Sequence, residues 1–294
     1  MGAGTAVIAA EVARITGREV AEVRRLSGGD TAAAFAVRLD DGTEVFAKSA
    51  SPSMPGAAAA EAASLRWLAE PGAVPVPEVL GEGDDVLVTE HVAAASPTAR
   101  AAEELGRGLA RLHDAGAPAF GSAPPGGPAD AWIGLAPMRD EPEPDWPTFY
   151  ARHRVRPYVR RAVDSGALEA GSARVLDRVC EALPELAGPA EPPSRLHGDL
   201  WSGNVHWGRD RAWLIDPAAH GGHRETDLAM LHLFGCPHLE RIVAAYQEVH
   251  PLADGWRERI ALHQLFPLLV HSVLFGGGYG AQAARAAGQA LRSH

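Results

Sequence analysis

The chain has 294 residues, of which 46% are hydrophobic and 22% are charged. This length fits one large or two ordinary domains, and the composition is typical of a folded globular protein rather than a disordered or fibrous one. The 27 basic and 37 acidic residues give a formal net charge of −10, which repels nucleic acid and anionic membranes. Binding to nucleic acid or to a membrane is therefore not expected.

Lysine and asparagine are unusually rare in this sequence. Of the 27 basic residues, 26 are arginine; Lys48 is the single lysine, and Asn204 is the single asparagine. We interpret this as a compositional bias that replaces lysine and asparagine wherever the exchange is tolerated. Lys48 and Asn204 are therefore candidates for positions where no exchange is tolerated.

Three features favour a protein of the cytoplasm. Cys180 and Cys236 lie far apart without the spacing of a metal site, which favours a reducing compartment. The first residues lack the basic region of a signal peptide. The uncharged stretch 260–284 is long enough for a membrane span, but His263, Pro267 and a run of glycines interrupt it, so we predict a buried helix and a glycine turn.

The N-terminal third is predicted to form an antiparallel sheet with two helices. Polar and glycine-containing turns separate its first three strands, which is typical of hairpins. The predicted elements are a helix at 5–16, strands at 19–26, 32–39 and 43–48, a helix at 56–69 and a strand at 85–90. A shift in composition near residues 91–97 then predicts two domains, 1–92 and 93–294.

Helical periodicity dominates most of the second domain. Its clearest case is the recurrence of Leu105, Leu109 and Leu112 on one helix face. Helices are predicted at 102–114, 148–165, 171–187 and within 237–292, with loops at 116–130 and 140–147. The segment between the third and the last of these helices has a different pattern, and it contains the strongest chemical motif.

That segment, 195–227, contains three oxygen-bearing side chains around a predicted hairpin. Apolar runs on both sides of a turn at 208–210 predict a hairpin that brings Asn204 opposite about Asp216. An amide and a carboxylate side by side suit Mg²⁺, which binds few protein oxygens and leaves its other positions to phosphates and water. Asp199 precedes Asn204 by five residues, where a carboxylate can accept a hydroxyl proton. The spacing D-x4-N before a hairpin that ends in Asp is typical of kinase catalytic loops.

Lys48 ends a predicted strand, as does the lysine that pairs with the phosphates of ATP in kinases. Glu61 shares a helix face with Leu65 and Leu68 and is expected to point inward, where a carboxylate needs a partner. We predict that Lys48 is this partner. A planar guanidinium does not replace a compact ammonium in a tight phosphate site, which explains why the bias spared this lysine.

Two further features have open interpretations. Gly28 and Gly29 join two predicted strands where backbone N–H groups cover phosphates in a kinase, although an ordinary hairpin turn explains them equally well. Asp227 opens a predicted helix, either as its cap or also as a support for the catalytic loop. Only ten residues separate Asp216 from Asp227, which leaves no room for the activation segment of a protein kinase.

Two pairs of histidines lie close together in the sequence. His220 and His223 form the first pair, and His263 and His271 form the second. Neither pair has a third ligand at a suitable spacing, so we do not expect a metal at either pair.

Together these motifs resemble the fructosamine kinase (ketosamine kinase) family, which is related to aminoglycoside phosphotransferases. The resemblance covers nearly the whole chain: SGGD at 27–30, the lysine strand, the helix around Glu61, LARLHD at 109–114, WIG at 132–134, LHGDLWSGNV at 196–205, IDPA at 215–218, RETDLAM at 224–230 and LFPLLVHSVLFGGGY at 265–279. HGDLWSGN and the last of these segments are specific to the ketosamine branch.

The resemblance implies an α+β, protein-kinase-like fold of two lobes, with a small antiparallel-sheet N-lobe and a mainly helical C-lobe. It also implies ATP-dependent phosphorylation of the 3-hydroxyl of a ketosamine, a fructosamine or ribulosamine, with ATP and magnesium as cofactors. The implied site comprises Asp199 as base, Asn204 and Asp216 on magnesium, Lys48, Glu61, Gly28 and Gly29 around the nucleotide, Glu90 and Val92 in a hinge that binds adenine, and His197 and Asp227 as supports. Trp201, His271 and Tyr279 are candidates for the substrate side, and each fits a core position equally well.

Two stretches depart from the family pattern. His220, Gly221 and His223 stand where aromatic residues and an acidic residue are expected, and Met138 and Asp140 stand where Gln and Asn are usual. These changes leave the phosphoryl chemistry intact and leave the amine of the substrate open. An aminoglycoside or other small-alcohol phosphotransferase, and an ATP-binding pseudokinase, are the alternatives, and the sequence does not indicate an oligomeric state.

Overall fold

A five-stranded antiparallel sheet with two helices forms the N-terminal part of the structure. The computed structural model describes residues 3–26 and 32–292, so the predicted phosphate-covering glycines, Gly28 and Gly29, lie outside the described residues. The elements are α1 (Ala3–Thr16), β1 (Val20–Arg25), β2 (Ala33–Leu39), β3 (Glu44–Ser49), α2 (Ala57–Ala69), β4 (Val79–Glu82) and β5 (Val86–Glu90). All but β4 were predicted, and their observed ends lie within about two residues of the predicted ones.

The sheet has the strand order β1-β2-β3-β5-β4, and each neighbouring pair is antiparallel. Successive side chains of a strand point to opposite faces. In β3, Val45 and Ala47 are buried in an apolar cluster with Ile8 and Val12 of α1. Lys48, the next residue after Ala47, therefore lies on the other face, which is the face turned toward α2 and the catalytic residues.

Helices dominate the rest of the chain, with short hairpins between them. The elements are α3 (Ala99–Asp114), β6 (Asp130–Ile133), β7 (Ala136–Arg139), α4 (Trp146–Phe149), α5 (Arg156–Asp164), α6 (Ala170–Leu186), β8 (Ser194–Leu196), β9 (Val205–Trp207), β10 (Ala212–Leu214), β11 (His220–Gly222), α7 (Glu225–Leu233), α8 (Leu239–Val249), α9 (Trp256–His263), α10 (Leu265–Phe275) and α11 (Tyr279–Ala290). No helix in the described part of the chain is long and apolar enough to cross a membrane.

The prediction of one continuous helix at 148–165 is wrong, because the chain forms three successive helical segments there. The chain forms α4, a π-helical turn at Tyr150–Val155 and then α5. Pro157 is the second residue of α5 and lacks the N–H that would bond to the carbonyl of His153, which accounts for the wider turn just before it. The β6–β7 hairpin and the pair β8–β11 were not predicted as strands, because these strands have only three or four residues each.

Within residues 3–26 and 32–292, the buried apolar side chains form three clusters. One lies between the sheet and α1, and another lies among α5, α6, α10 and α11. The third contains Leu65 and Leu68 of α2 together with Leu105 and Leu109 of α3 and residues of the catalytic hairpin. The architecture is thus α+β, and helix α2 packs on the second part of the chain as well as on its own sheet. The domain division at residue 92 stays a prediction.

Candidate active site

Lys48 makes two ion pairs in the cleft between the sheet and the helical part. Its Nζ lies 2.7 Å from Oε2 of Glu61 and 3.0 Å from Oδ1 of Asp216. Burial alone would lower the pKa of Lys48, but the two carboxylates outweigh it and hold the pKa above its usual value. The same ammonium outweighs the effect of burial on Asp216 and holds the pKa of that carboxyl below its usual value. Lys48 is thus held in its charged form beside two carboxyl groups, although burial raises the pKa of Glu61 to about 7.

The loop between β8 and β9 brings Asp199 and Asn204 together. Nδ2 of Asn204 donates to the backbone carbonyl of Asp199 at 2.8 Å and to its Oδ2 at 3.1 Å. Hairpin β9–β10 pairs Val205 with Leu214, so Asn204 lies opposite Ile215, one position from the predicted partner. The amide still reaches the backbone carbonyl of Asp216 at 3.4 Å. Asp199, Asn204 and Asp216 therefore surround one point of the cleft.

Asp227 and His197 fix the backbone of this loop. The Asp227 carboxylate accepts hydrogen bonds from the backbone N–H groups of His197 at 2.8 Å and Gly198 at 3.0 Å. Nε2 of His197 donates to the carbonyl of Ile215 at 2.9 Å, and its Nδ1 accepts from the N–H of Asp199 at 3.2 Å. Burial lowers the pKa of His197, which agrees with this neutral form. Helix α7 begins two residues before Asp227, so this carboxylate supports the loop and does not cap the helix.

Sequence reasoning assigned no role to His113, although its motif carried part of the resemblance. Its ring lies on the buried face of α3, with Nε2 3.2 Å from Oδ2 of Asp227 and Nδ1 2.8 Å from the hydroxyl of Tyr246. In the neutral tautomer Nε2 donates to the carboxylate and Nδ1 accepts from the hydroxyl. His113 thus holds the same Asp227 oxygen that accepts from the N–H of His197. A histidine on an apolar helix face was the available signal.

Two backbone positions of the site have positive φ. Gly198 has φ 82°, and a Cβ there would lie 2.0 Å from the carbonyl oxygen of Ala218, so no other residue fits. Asp216 has φ 52°, in the left-handed region that aspartate tolerates better than most residues. The chain therefore turns sharply just after β10, and this turn accompanies the contact of Asp216 with Lys48.

Asp199 is suited to accept a proton near neutral pH. Burial, followed by the nearby Asp216 carboxylate, raises the pKa of Asp199 to about 7. A general base is most effective when its pKa lies near the working pH.

The donor set fits a magnesium ion. Among the described residues that line the cleft are the carboxyl groups of Glu61, Asp199 and Asp216 and the ammonium of Lys48. The Asp216 carboxylate and the amide oxygen of Asn204 are hard oxygen ligands of the type that Mg²⁺ prefers. These two side chains would hold the ion.

The cleft has a volume of about 220 Å³ and is lined by both the catalytic residues and a group of aromatic side chains. Trp201 and His271, two of the three candidates for the substrate side, lie in this lining. Tyr279, the third, is not among the lining residues and lies behind His271, with ring centroids 5.1 Å apart. Phe275 also lines the cleft, and it was not predicted.

The predicted adenine hinge lies at the end of β5, away from the residues that line this cleft. The Glu90 N–H donates to the carbonyl of Glu78 at 2.9 Å, and the carbonyl of Val92 accepts from Nε2 of His206 at 3.0 Å. His206 lies on β9, so the hinge is tied to the catalytic hairpin. The role of Glu90 and Val92 in binding adenine stays a prediction.

The two stretches that depart from the family pattern are buried. Met138 is in the core, and Oδ1 of Asp140 accepts from Nη2 of Arg154 at 2.5 Å. His223 lies near His263 and Glu225, with their potential ligand atoms within 4.8 Å of one another. His263 belongs to α9, and only folding brings it near His223, whereas Glu225 lies two residues from His223 and was not considered as a ligand.

The Glu225 carboxylate of this cluster is already paired. It accepts two hydrogen bonds from the guanidinium of Arg259, at 2.6 and 2.9 Å, and Nδ1 of His263 lies 2.9 Å from the hydroxyl of Thr226. An arginine fork of this kind neutralises the carboxylate and occupies both of its oxygens. We therefore describe the cluster as a buried ion-pair network.

Comparison with known proteins identifies the family of this chain. A sequence model of the fructosamine kinase family matches residues 5–293. A probable ketoamine kinase of Klebsiella aerogenes is 34% identical over 285 residues, which cover 94% of this chain and 95% of the relative. The crystal structure of a candidate fructosamine-3-kinase from Thermobifida fusca superposes with a TM-score of 0.92 at 50% identity, over 97% of this chain and 98% of the other.

A more distant structure shows the same fold. An aminoglycoside phosphotransferase, crystallised with AMP-PNP and hygromycin B, superposes with a TM-score of 0.61 at 17% identity, over 97% of this chain and 98% of the other. The predicted kinase-like, two-lobed α+β fold is thereby confirmed. Together with the family match over nearly the whole length, these findings show that the chain belongs to the fructosamine kinase family.

Proposed function

We propose that this protein transfers the γ-phosphoryl group of ATP to the 3-hydroxyl of a ketosamine of the fructosamine or ribulosamine type. The observation that carries this proposal is the position of Asp199, which shares one cleft with Asn204, Asp216 and the paired Lys48. That arrangement supports phosphoryl transfer, because it combines a base with charges that match a polyphosphate. The family relationship supports a ketosamine as the acceptor.

In the proposed reaction Asp199 binds the acceptor hydroxyl and takes its proton. The hydroxyl oxygen forms a bond to the γ-phosphorus while the bond to the bridging oxygen of ADP breaks, so the proton ends on Asp199 and the negative charge on ADP. A pKa of about 7 lets this carboxylate be unprotonated before the step and hold the proton after it. Asn204 orients the carboxylate through its hydrogen bond to Oδ2.

Lys48 provides the fixed positive charge for the phosphates of ATP. Its ion pair with Glu61 holds the ammonium in place, and the contact with Asp216 is exchanged for phosphate oxygens when the nucleotide binds. Magnesium held by Asn204 and Asp216 would neutralise the remaining phosphate charge. We further propose that the backbone near Glu90 and Val92 receives the adenine and that Gly28 and Gly29 cover the phosphates.

The test is ADP release from ATP with fructosyl-lysine, ribulosyl-lysine and kanamycin as acceptors. We expect turnover with at least one ketosamine and none above background with kanamycin. Phosphorylation of kanamycin alone would replace the proposal by an aminoglycoside phosphotransferase. ATP binding without turnover on either ketosamine would instead favour a pseudokinase. The Asp199→Asn variant controls for contaminating kinases, because it must lose whatever turnover the wild type has.

A further inference from the structure

Four aromatic side chains form a continuous group beside the cleft: three of them line it, and Phe234 contacts the rings of Trp201 and His271. We call this group the aromatic rim and define it as Trp201, Phe234, His271 and Phe275. Ring centroids are 6.2 Å apart for Trp201 and Phe234, 4.8 Å for Phe234 and His271, and 5.4 Å for His271 and Phe275. Trp201, Phe234 and Phe275 are nevertheless 38%, 37% and 53% exposed. Exposed apolar side chains that adjoin one another beside a cleft are typical of a binding surface.

Two rings of the rim, those of Phe234 and Phe275, lie at the ends of helices that are followed by glycines. Helix α7 ends just before Phe234, which is followed by Gly235 with φ 72°. Helix α10 ends at Phe275, and the positive φ of Gly276 and Gly277 turns the chain back so that α11 begins beside the rim. Both phenylalanines therefore stand at helix ends, next to glycines that allow the turn without a strained side chain.

Trp201 depends on a third glycine. A Cβ on Gly203 would lie 2.2 Å from Cη2 of the Trp201 ring, so the indole lies directly against this backbone position. Because Gly203 immediately precedes the predicted magnesium ligand Asn204, the rim adjoins the catalytic loop. It is continuous with the site described above.

The rim is neutral and rich in π-electrons. Nδ1 of His271 donates to the carbonyl of Pro267 at 2.8 Å, which leaves Nε2 as an acceptor. Burial lowers the pKa of His271, so the imidazole adds no positive charge near neutral pH. Aromatic faces attract organic cations and pack against apolar groups. Such a surface suits an amine that carries an apolar substituent.

The lining of the cleft indicates what the rim contacts. Trp201, His271 and Phe275 line the same cleft as Asp199. In a ketosamine the substituent on nitrogen is attached at one end of the sugar. A sugar whose reacting hydroxyl lies at Asp199 therefore places this substituent within reach of the rim.

We infer that the aromatic rim binds the nitrogen substituent of the ketosamine, and that Phe234 and Phe275 make the protein prefer apolar or aromatic amines over small anionic ones. This inference rests on the proposed function. It assigns binding roles to two side chains that sequence analysis did not single out.

The experiment compares fructosyl-benzylamine with fructosyl-glycine, or the two ribulosyl counterparts if those are turned over instead. In the wild type we expect a higher kcat/KM for the benzylamine derivative. In Phe234→Ala and in Phe275→Ala, the ratio of the two kcat/KM values should fall by about 2- to 10-fold, the size of an aromatic contact. The loss should appear in KM for the benzylamine derivative, with the KM for ATP unchanged. Leu80→Ala, an exposed apolar residue on β4, is the matched control.

The possible results distinguish failure of the rim proposal from failure of the proposed function. Turnover of both derivatives with the same ratio in the wild type and in both phenylalanine variants would overturn the rim and leave the proposed function intact. Absence of turnover with either sugar series would overturn the proposed function and the rim with it. A smaller fall in the ratio for Phe234→Leu than for Phe234→Ala would support an apolar contact at this position.

Discussion

The two ends of the cleft hold their side chains in different ways. We call the end with Lys48 and Asn204 the phosphate end and the end with the aromatic rim the acceptor end, after the roles that we propose for them. At the phosphate end Lys48 is fixed by two carboxylates, and Asn204 and Asp227 are fixed by hydrogen bonds to the catalytic loop. At the acceptor end, Phe234 and Phe275 are held by ring contacts and remain partly exposed. Charged hydrogen bonds fix direction, whereas ring contacts tolerate several arrangements.

This difference predicts how each end responds to substitution. A change at the phosphate end leaves a buried charge or a backbone N–H without its partner, which costs more than a lost apolar contact. A change at the acceptor end mostly removes contact area from a surface that already faces solvent. We therefore expect large effects on the rate from the first end and small, substrate-dependent effects from the second.

The largest effect is expected for Asp199→Asn. The amide keeps the shape of the side chain but cannot take the hydroxyl proton, so kcat for the preferred ketosamine should fall by about 10²- to 10⁴-fold. The Kd for ATP, measured by titration calorimetry, should change little. Asp177→Asn, on the exposed face of α6, is the matched control. A kcat within tenfold of the wild type would show that another group acts as the base.

Lys48→Arg should be the next most damaging change. A guanidinium is too large to keep the contact of 2.7 Å with Glu61 while it binds a phosphate. Loss of a charge-assisted bond predicts a fall in kcat/KM for ATP of about 10- to 100-fold. Arg178→Lys on the exposed face of α6 tests the reverse exchange at a site without function and should leave the kinetics unchanged. Normal kinetics in Lys48→Arg would remove the explanation for the single lysine.

The pH dependence of the rate tests the environment of Asp199. Its raised pKa of about 7 means that the carboxylate is protonated, and inactive as a base, at lower pH. We expect kcat/KM for the ketosamine to fall by about tenfold for each pH unit below 7, since a base of this pKa loses its free form in that way. An acid limb near pH 4, where an ordinary aspartate titrates, would contradict this assignment. Intact folding over the range is checked by circular dichroism.

Gly203→Ala should give the smallest effect and act at the acceptor end. The added methyl group displaces the Trp201 ring, so the KM for the ketosamine should rise by about 2- to 10-fold while the KM for ATP is unchanged. Gly171→Ala is the control, because a Cβ there meets only Arg174, at 3.8 Å. An equal rise in KM for the ketosamine and for ATP would indicate that the catalytic loop itself had moved. The two ends of the cleft would then not be independent.

Much of the phosphate end could be predicted from sequence, because its signals are local. The inward face of α2 predicted the pairing of Glu61 with Lys48, whose side chains lie 2.7 Å apart. The hairpin after Asn204 brought Asp216 near it, although the register differs by one residue. Strand alternation and helix spacing fix such contacts over a few residues.

The acceptor end could not be predicted in the same way. Phe275 lies four positions after His271 on α10, a spacing that brings the two rings together, but Phe234 stands after α7, and nothing in its local pattern indicates that it contacts His271. His113 likewise reaches Asp227 across 114 positions of the chain. These contacts depend on how helices pack, which local periodicity does not specify.

The sequence by itself determined the polar chemistry of this protein. A composition that retains one lysine and one asparagine singles out Lys48 and Asn204, and motif spacing predicts that they act with Asp199 and Asp216. Only the tertiary structure decided what supports these residues and what surrounds the acceptor. The reason is physical: ionic and metal-binding groups require particular residue types, whereas an aromatic surface requires only that apolar rings from distant segments meet at one place.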